Sequence, residues 1–466
     1  MKLFKNVSYT ILSNFLNILA STLIVLIIPK FIGVHSYGMW QVFIFYANYI
    51  GILHFGWADG LFLRRGGQHT INIDIGSLKA ETILYIAFNS ILGLIFIITG
   101  FLNISDYAFI IIALGVGIIV VNIRTWITMI LQSTGNFKGY AINLSVQSLV
   151  YLVLILIILL LRITDYRVMI SAFIVSQLTT SISGIIQLRR QFGSFKVQSN
   201  FKSAISELKL NIDSGFKLMV ANFTAMLIVG IIRFGIQQQW TVSTFGKVSL
   251  VLSIANLITV FINAISLVLF PTLRRTKQVA QEVYLGIRDL LMPLLYGIMI
   301  IYFPIVIIIP LWLPEYSDAL RYTSILMPMM VYQGKFEILS NTFMKNFRME
   351  SKLMMINIAT LIISAALTGL TVYLLHNLTL AIFSIALVLG IRSIISEIIL
   401  SKVIKVSYIK ELLFENIGIL GFMALTWYCS VSISFIVYFG LLLMYLILKL
   451  SSMKRGFIVL KELSKY

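Results

Sequence analysis

The chain has 466 residues, 59% hydrophobic and only 11% charged, with a formal net charge of +19. A soluble domain carries about 25% charged residues, so this composition excludes a soluble protein. Apolar runs of about 20 residues recur from end to end, which implies membrane-crossing helices rather than the shorter alternating strands of a barrel.

Fourteen spans are predicted in chain order, at 8–29, 38–58, 82–102, 107–131, 141–161, 168–188, 213–235, 245–270, 288–311, 319–343, 353–375, 379–401, 413–431 and 433–449. The first has a basic start, but its apolar stretch is too long for a signal peptide, so it reads as a retained span. The last two come from an almost continuous apolar run, and their split is the least defined. The longest polar stretch, "RRQFGSFKVQSNFKSAISELKLNID" (189–213), reads as a cytoplasmic connector lying on lipid headgroups. The expected organisation is an N-lobe at 1–190 and the connector at 191–212. A C-lobe at 213–402 follows, then two extra helices with a basic tail at 403–466.

Basic residues orient the chain. With the N-terminus inside, 27 of the 36 Lys and Arg fall on the cytoplasmic side and five on the other (Lys30, Arg162, Arg167, Lys247, Arg321). That asymmetry places both ends in the cytoplasm. It also accounts for the positive charge without nucleic acid.

The two halves resemble each other. "SNF" (13–15) matches "ANF" (221–223), and "YGMWQVFIFYANYI" (37–50) matches "FGKVSLVLSIANLI" (245–258), both at an offset of 208. Arg64-Arg65 matches Arg274-Arg275, and "GNFK" (135–138) matches "KNFR" (345–348), both at 210. Six spans separate the matched elements, and an even number preserves direction. The halves are therefore expected to be parallel six-helix repeats about a pseudo-two-fold along the membrane normal, a design that puts a substrate site between repeats near the midplane.

Four cations fall within spans: Arg124, Arg233, Lys335 and Arg392. Lys335 and Glu337 sit together in "MVYQGKFEIL" (330–339). A charge at mid-span costs roughly 2.5–3.5 kcal/mol on insertion scales, so such groups face a bundle interior or a hydrated cavity. Arg124 shifted by 210 lands one residue from Lys335, so the repeat puts a cation at nearly one depth in both lobes. Lys335 and Glu337, two apart, point to different sides of a helix, and Arg392 and Glu397 make a poor pair within one helix. The four cations are candidates to bind an anionic solute, or to be structural ion pairs. Asp59, Glu337 and Glu397 are candidates for ion coupling. Asn14 and Asn17 in span 1, Asn48 in span 2, Asn222 in span 7 and Asn256 in span 8, with Asn263 and nearby serines, form polar stripes. They read as polar glue between helices or as a cavity lining.

Enzyme chemistry finds little support. No G-x-x-x-x-G-K-[ST] loop occurs, and the four histidines (35, 54, 69, 376) lack metal-ligand spacing. The one cysteine, Cys429, can form no disulfide within the chain. No cofactor is expected.

The opening "NVSYTILSNFLNILASTLIVLIIPKFIGVHSYGMWQVFIFYANYIGILHFGWADGLFLR" resembles the N-terminal part of bacterial Wzx-type O-antigen, capsule and exopolysaccharide flippases. These belong to the multidrug/oligosaccharidyl-lipid/polysaccharide exporter superfamily. "IPKFIG…YGMW" carries most of the likeness, and "GKFEILSNTFMKNFRMES" is similar to the family's corresponding segment. The resemblance implies a two-lobed transporter in the bacterial cytoplasmic membrane, working by alternating access. Its implied substrate is an undecaprenyl-pyrophosphate-linked oligosaccharide, moved through a cationic cavity. Arg124, Arg233, Lys335 and Arg392 would then meet the anionic head. Membrane lipids, a polysaccharide polymerase and a chain-length regulator are the partners it suggests. Two alternatives remain, a multidrug exporter of the same superfamily and a peptidoglycan lipid II flippase.

Overall fold

The computed structural model describes residues 2–66, 73–193, 200–275, 280–406 and 409–463. His69 and 194–199 of the connector lie outside them, as do the side chains of Asn263, Arg274 and Arg275. The described residues form helices and no strand.

Seventeen α-helices follow one another among the described residues. They are α1 (Lys2–Phe31), α2 (Val34–Ala47), α3 (Trp57–Arg65), α4 (Ile75–Leu102), α5 (Ala108–Ser133), α6 (Phe137–Leu160), α7 (Tyr166–Phe192), α8 (Phe201–Gln239) and α9 (Val242–Arg275). The rest are α10 (Ala280–Ile298), α11 (Tyr302–Trp312), α12 (Thr323–Lys335), α13 (Thr342–Asn346), α14 (Glu350–Thr368), α15 (Leu378–Ile404), α16 (Ile409–Tyr428) and α17 (Val431–Leu463). Each of the fourteen expected spans falls on a helix or on a run of consecutive helices. Ten helical stretches among the described residues are long and apolar enough to cross a membrane. The chain is a multi-pass, all-α membrane protein. Large apolar side chains such as Phe101, Leu311, Ile362 and Phe414 stay exposed, as lipid-facing surfaces require.

Local sequence sets the helix starts. Asp74, Asn136, Asp165 and Asn377 each accept a backbone N–H from the first turn of α4, α6, α7 and α15, satisfying donors left over at the helix end. The last two expected spans separate at Cys429 and Ser430, and Cys429 is exposed there.

The chain divides into two units, Met1–Phe223 and Thr224–Tyr466. Their elements follow the repeat. Shifting α4 by 208 gives 283–310, against the run α10–α11 at 280–312. Shifting α7 by 210 gives 376–402, against α15 at 378–404.

Three departures from expectation matter. The connector is not separate from the span that follows it, because 201–212 is the beginning of α8 and is continuous with span 7. Span 2 is broken: α2 ends at Ala47, a 3-10 turn covers Ile50–His54, and α3 starts at Trp57. Its counterpart α9 runs unbroken through Val242–Arg275. Span 10 also changes character. A π-helical stretch at Phe336–Asn341 follows α12, and the Thr342 hydroxyl donates to the Glu337 carbonyl at 2.8 Å. A π insertion widens the turn by one residue and often marks a functional site.

In the first unit α3 lies against the start of α8. The motif "GWADG" puts Gly56 and Gly60 four apart, and Asn211 and Gly215 face them with the same spacing. A Cβ on Gly60 would overlap the Asn211 carbonyl oxygen, and one on Gly215 would overlap the Gly56 carbonyl oxygen. Small residues at i and i+4 allow this backbone approach. Gly56 also needs its freedom for a φ of 77°, directly after Phe55 at 51°. In the second unit α17 packs on α10, with Gly456 against the Gly286 backbone. The C-terminal helices are thereby fastened to that unit.

Candidate functional sites: buried charge in each unit

Lys335 ends α12 and is 1% exposed. Its Nζ lies 2.7 Å from Glu415 Oε2 on α16 and 3.1 Å from Glu397 Oε1 on α15. The other oxygen of Glu415 takes Arg288 from α10 at 2.6 Å. Two cations and two carboxylates from four helices thus form one cluster. Tyr296 donates to the Glu415 carbonyl at 2.9 Å. One turn before Lys335, Tyr332 donates to Asn416 at 3.0 Å and lies on Gly390 of α15, where a Cβ would crowd its ring.

The other expected charges in this unit have partners too. Arg392 Nε donates to Asn357 on α14 at 3.0 Å, and its guanidinium lies 3.6 Å from the Phe336 ring centroid. Glu337 points away from Lys335, as a two-residue spacing requires. It accepts from Gln333 at 3.1 Å and from Asn341 at 2.7 Å. Arg233 on α8 reaches Ser249 at 3.1 Å and the Phe245 ring at 5.6 Å. Lys335 and Arg392 are therefore buried inside the second unit among partners of their own, where the sequence suggested a cavity lining.

Arg124 differs. It is half-buried on α5, one of its terminal nitrogens donates to Gln147 at 2.5 Å, and its Nε has no hydrogen-bond partner among the described residues. Among the described residues no carboxylate pairs with it.

The first unit holds a second cluster. Glu81, fully buried on α4, accepts from Trp57 Nε1 at 2.9 Å, pairs with Arg65 at 3.0 Å and accepts from Asn211. Arg64 meets Glu207 at 2.9 Å and Asn211 at 2.8 Å. These contacts fasten α3 to α4 and α8. Asp59 lies 3.9 Å from the Nε2 of buried His54.

Of the polar candidates, Asn17 accepts from Ser148 on α6 at 2.8 Å, the helix-to-helix contact its stripe suggested. Asn14 is half-buried beside it, and Asn48, Asn222 and Asn256 are exposed.

Sequence reasoning missed Glu415, Arg288, Glu81 and His54. Glu415 lay in plain view within the expected span 413–431, the one carboxylate of "FENIGILGFMAL". Arg288 began its span and was counted with the cytoplasmic charges. Glu81 fell one residue before span 3.

Solved structures resemble this chain over nearly its whole length. The lipid II flippase MurJ, in an inward closed conformation, aligns with a TM-score of 0.65 and 13% identity, over 98% of this chain and 100% of that one. So little is left out that α16 and α17 are both included. An inward-facing multidrug resistance MATE family transporter of the MOP superfamily aligns with a TM-score of 0.54 and 13% identity, over 88% of this chain and 99% of that one. A crystal structure of a MATE point mutant aligns at 0.51 with 14% identity, over 90% and 97%. The chain has the fold of these transporters. No protein-family model matches it, and no curated protein matches it.

Proposed function

We propose that the chain flips undecaprenyl-pyrophosphate-linked oligosaccharide units across a bacterial cytoplasmic membrane for surface polysaccharide assembly, by alternating access. Arg124 carries this reading. It is a half-buried guanidinium in the middle of an apolar helix, with one neutral hydrogen-bond partner and no counter-charge among the described residues. Such a group is costly in a membrane unless it serves a solute, and its planar fork suits phosphate oxygens. Arg233 is the second candidate, held at its known contacts by a hydroxyl and a ring face.

The fold supports the reading, because the flippase named above acts on lipid II and matches this chain over both C-terminal helices. A multidrug exporter shares the fold, but a half-buried arginine with no counter-charge among the described residues fits an organic cation poorly. Lys335 and Arg392 drop to a supporting role: together with Arg288 and Glu415 they hold α10, α12, α14, α15 and α16 together, and Glu397 and Glu337 hold partners of their own in the same bundle.

The test uses a strain whose surface polysaccharide depends on this gene, with Arg124→Gln and Arg124→Lys at matched protein levels. Arg124→Gln is expected to lose surface polysaccharide and accumulate the lipid-linked precursor, and Arg124→Lys to recover part of it. A deletion strain with normal polysaccharide and no precursor accumulation would sink the proposal.

A further inference from the structure

Beside the break in span 2, the first unit buries polar groups that find no hydrogen-bond partner among the described residues. His54 ends the 3-10 turn at 4% exposure, and its Nδ1 has no hydrogen-bond partner among the described residues. Its Nε2 stands 3.9 Å from Asp59 Oδ2, beyond hydrogen-bond length but within reach of a small rotation. Tyr85 on α4 is fully buried with its ring 6.3 Å from the imidazole. Its hydroxyl makes no geometrically good hydrogen bond among the described residues, and it lies beside Asn89 and within electrostatic reach of Asp59. Asn89 accepts from Asn122 at 2.6 Å, and Asn122 Oδ1 is again without a partner among the described residues. A polar seam thus runs from the break through α4 to α5 inside an otherwise apolar core.

We propose that His54 and Asp59 form a proton-binding site, with Tyr85, Asn89 and Asn122 as the seam leading from it. As a coupling site it rests on the transporter reading above. Imidazole is the one side chain whose ordinary pKa lies between about pH 5 and 8, and a carboxylate beside it can share or take up the proton. One added proton bridges them and draws the 3.9 Å gap closed. An alkali cation fits the pair itself less well, since such ions take oxygen ligands and the pair sets a single carboxylate against a nitrogen base. Unsatisfied buried donors and acceptors are costly, so a seam with three such atoms asks for a function.

The repeat adds an independent argument. Shifting by 208 places Ile262 and Leu267 at the positions of His54 and Asp59, and there α9 is unbroken. The break and the polar pair occur together in one half and are both missing in the other.

The remaining charges near the pair are accounted for. On α4, Glu81 is held by Arg65 and Trp57. On α5, Arg124 is directed to Gln147 on α6. On α8, Glu207 is held by Arg64, and Asp213 is exposed.

Trp57 and Trp126 pack on Tyr85 with centroids at 5.3 and 4.3 Å, so these two of the chain's six tryptophans give the indole emission a component that reports on the seam. The purified full-length protein in lipid nanodiscs is titrated from about pH 4 to about pH 9, a window covering both groups. Intrinsic fluorescence is followed for wild type, His54→Gln, Asp59→Asn and the double variant, each first shown to be monodisperse. The wild type is expected to show a transition that moves by about one pH unit or more in each single variant, because each loses its partner's charge, and that vanishes in the double variant. A wild-type midpoint retained in both single variants, or no transition in the wild type, overturns the site. The titration needs no substrate, so its failure leaves flipping untouched. Normal polysaccharide on gene deletion would remove flipping and leave the titration standing.

Discussion

The Nζ of Lys335 lies 2.7 Å from Glu415 Oε2, joining α12 to a helix that begins 74 residues later, at Ile409. The same carboxylate binds Arg288 at 2.6 Å. One glutamate therefore links α16 to two other helices of the second unit, and the C-terminal pair is part of that unit's interior.

Removing one member of such a cluster leaves the others buried without charge compensation. Lys335→Met is expected to destabilise the protein by about 3–5 kcal/mol, the usual cost of breaking a buried pair. A thermal-unfolding assay in detergent would show a clearly lower Tm, with Lys335→Arg closer to wild type. A Lys335→Met protein of unchanged Tm would contradict the arrangement.

Gly60→Ala tests the junction of α3 with α8. In an isolated helix alanine is favoured over glycine by about 1 kcal/mol. Here the new Cβ would overlap the Asn211 carbonyl oxygen, so the sign reverses and stability falls, since overpacking costs typically about 1–3 kcal/mol. A lower Tm is the expected readout, and a Tm raised by the substitution would deny the close approach of the two backbones.

Glu81→Gln keeps the side-chain volume but removes the charge that Arg65 faces at 3.0 Å. The nearest other carboxylate to Arg65 is Glu207 at 3.8 Å. A loss of about 3 kcal/mol or more is expected, and reversing the pair in Arg65→Glu/Glu81→Arg should recover only part of it.

Arg124→Gln separates function from stability. The arginine has no carboxylate partner among the described residues, so neutralising it removes a desolvation cost without breaking an ion pair. Tm is expected to stay level or rise while precursor flipping falls. A drop in Tm as large as that of Lys335→Met would mark Arg124 as a structural group.

The buried charges show why pairwise sequence reasoning reached only part of the site. Lys335 and Glu337 were legible as residues pointing apart, because a helix fixes their angle whatever surrounds it. The partners of Lys335 were not legible, since Glu397 and Glu415 come from helices whose rotation about their own axes depends on packing. Glu415 carried a readable signal as a lone carboxylate in an apolar run. His54 carried almost none, because its meaning depends on a break in the helix that hydropathy averages away.

The sequence by itself determined the class of the molecule, the order of its apolar helical segments and the spacing of its internal repeat. Those follow from hydropathy over about 20 residues and from spacing along the chain, both local properties. Only the tertiary structure decided which cations have counter-charges, where span 2 breaks and span 10 widens, and that the polar connector runs on as α8. Each of these depends on how closely two helices approach, which small residues such as Gly60 and Gly215 permit and which no single helix specifies alone.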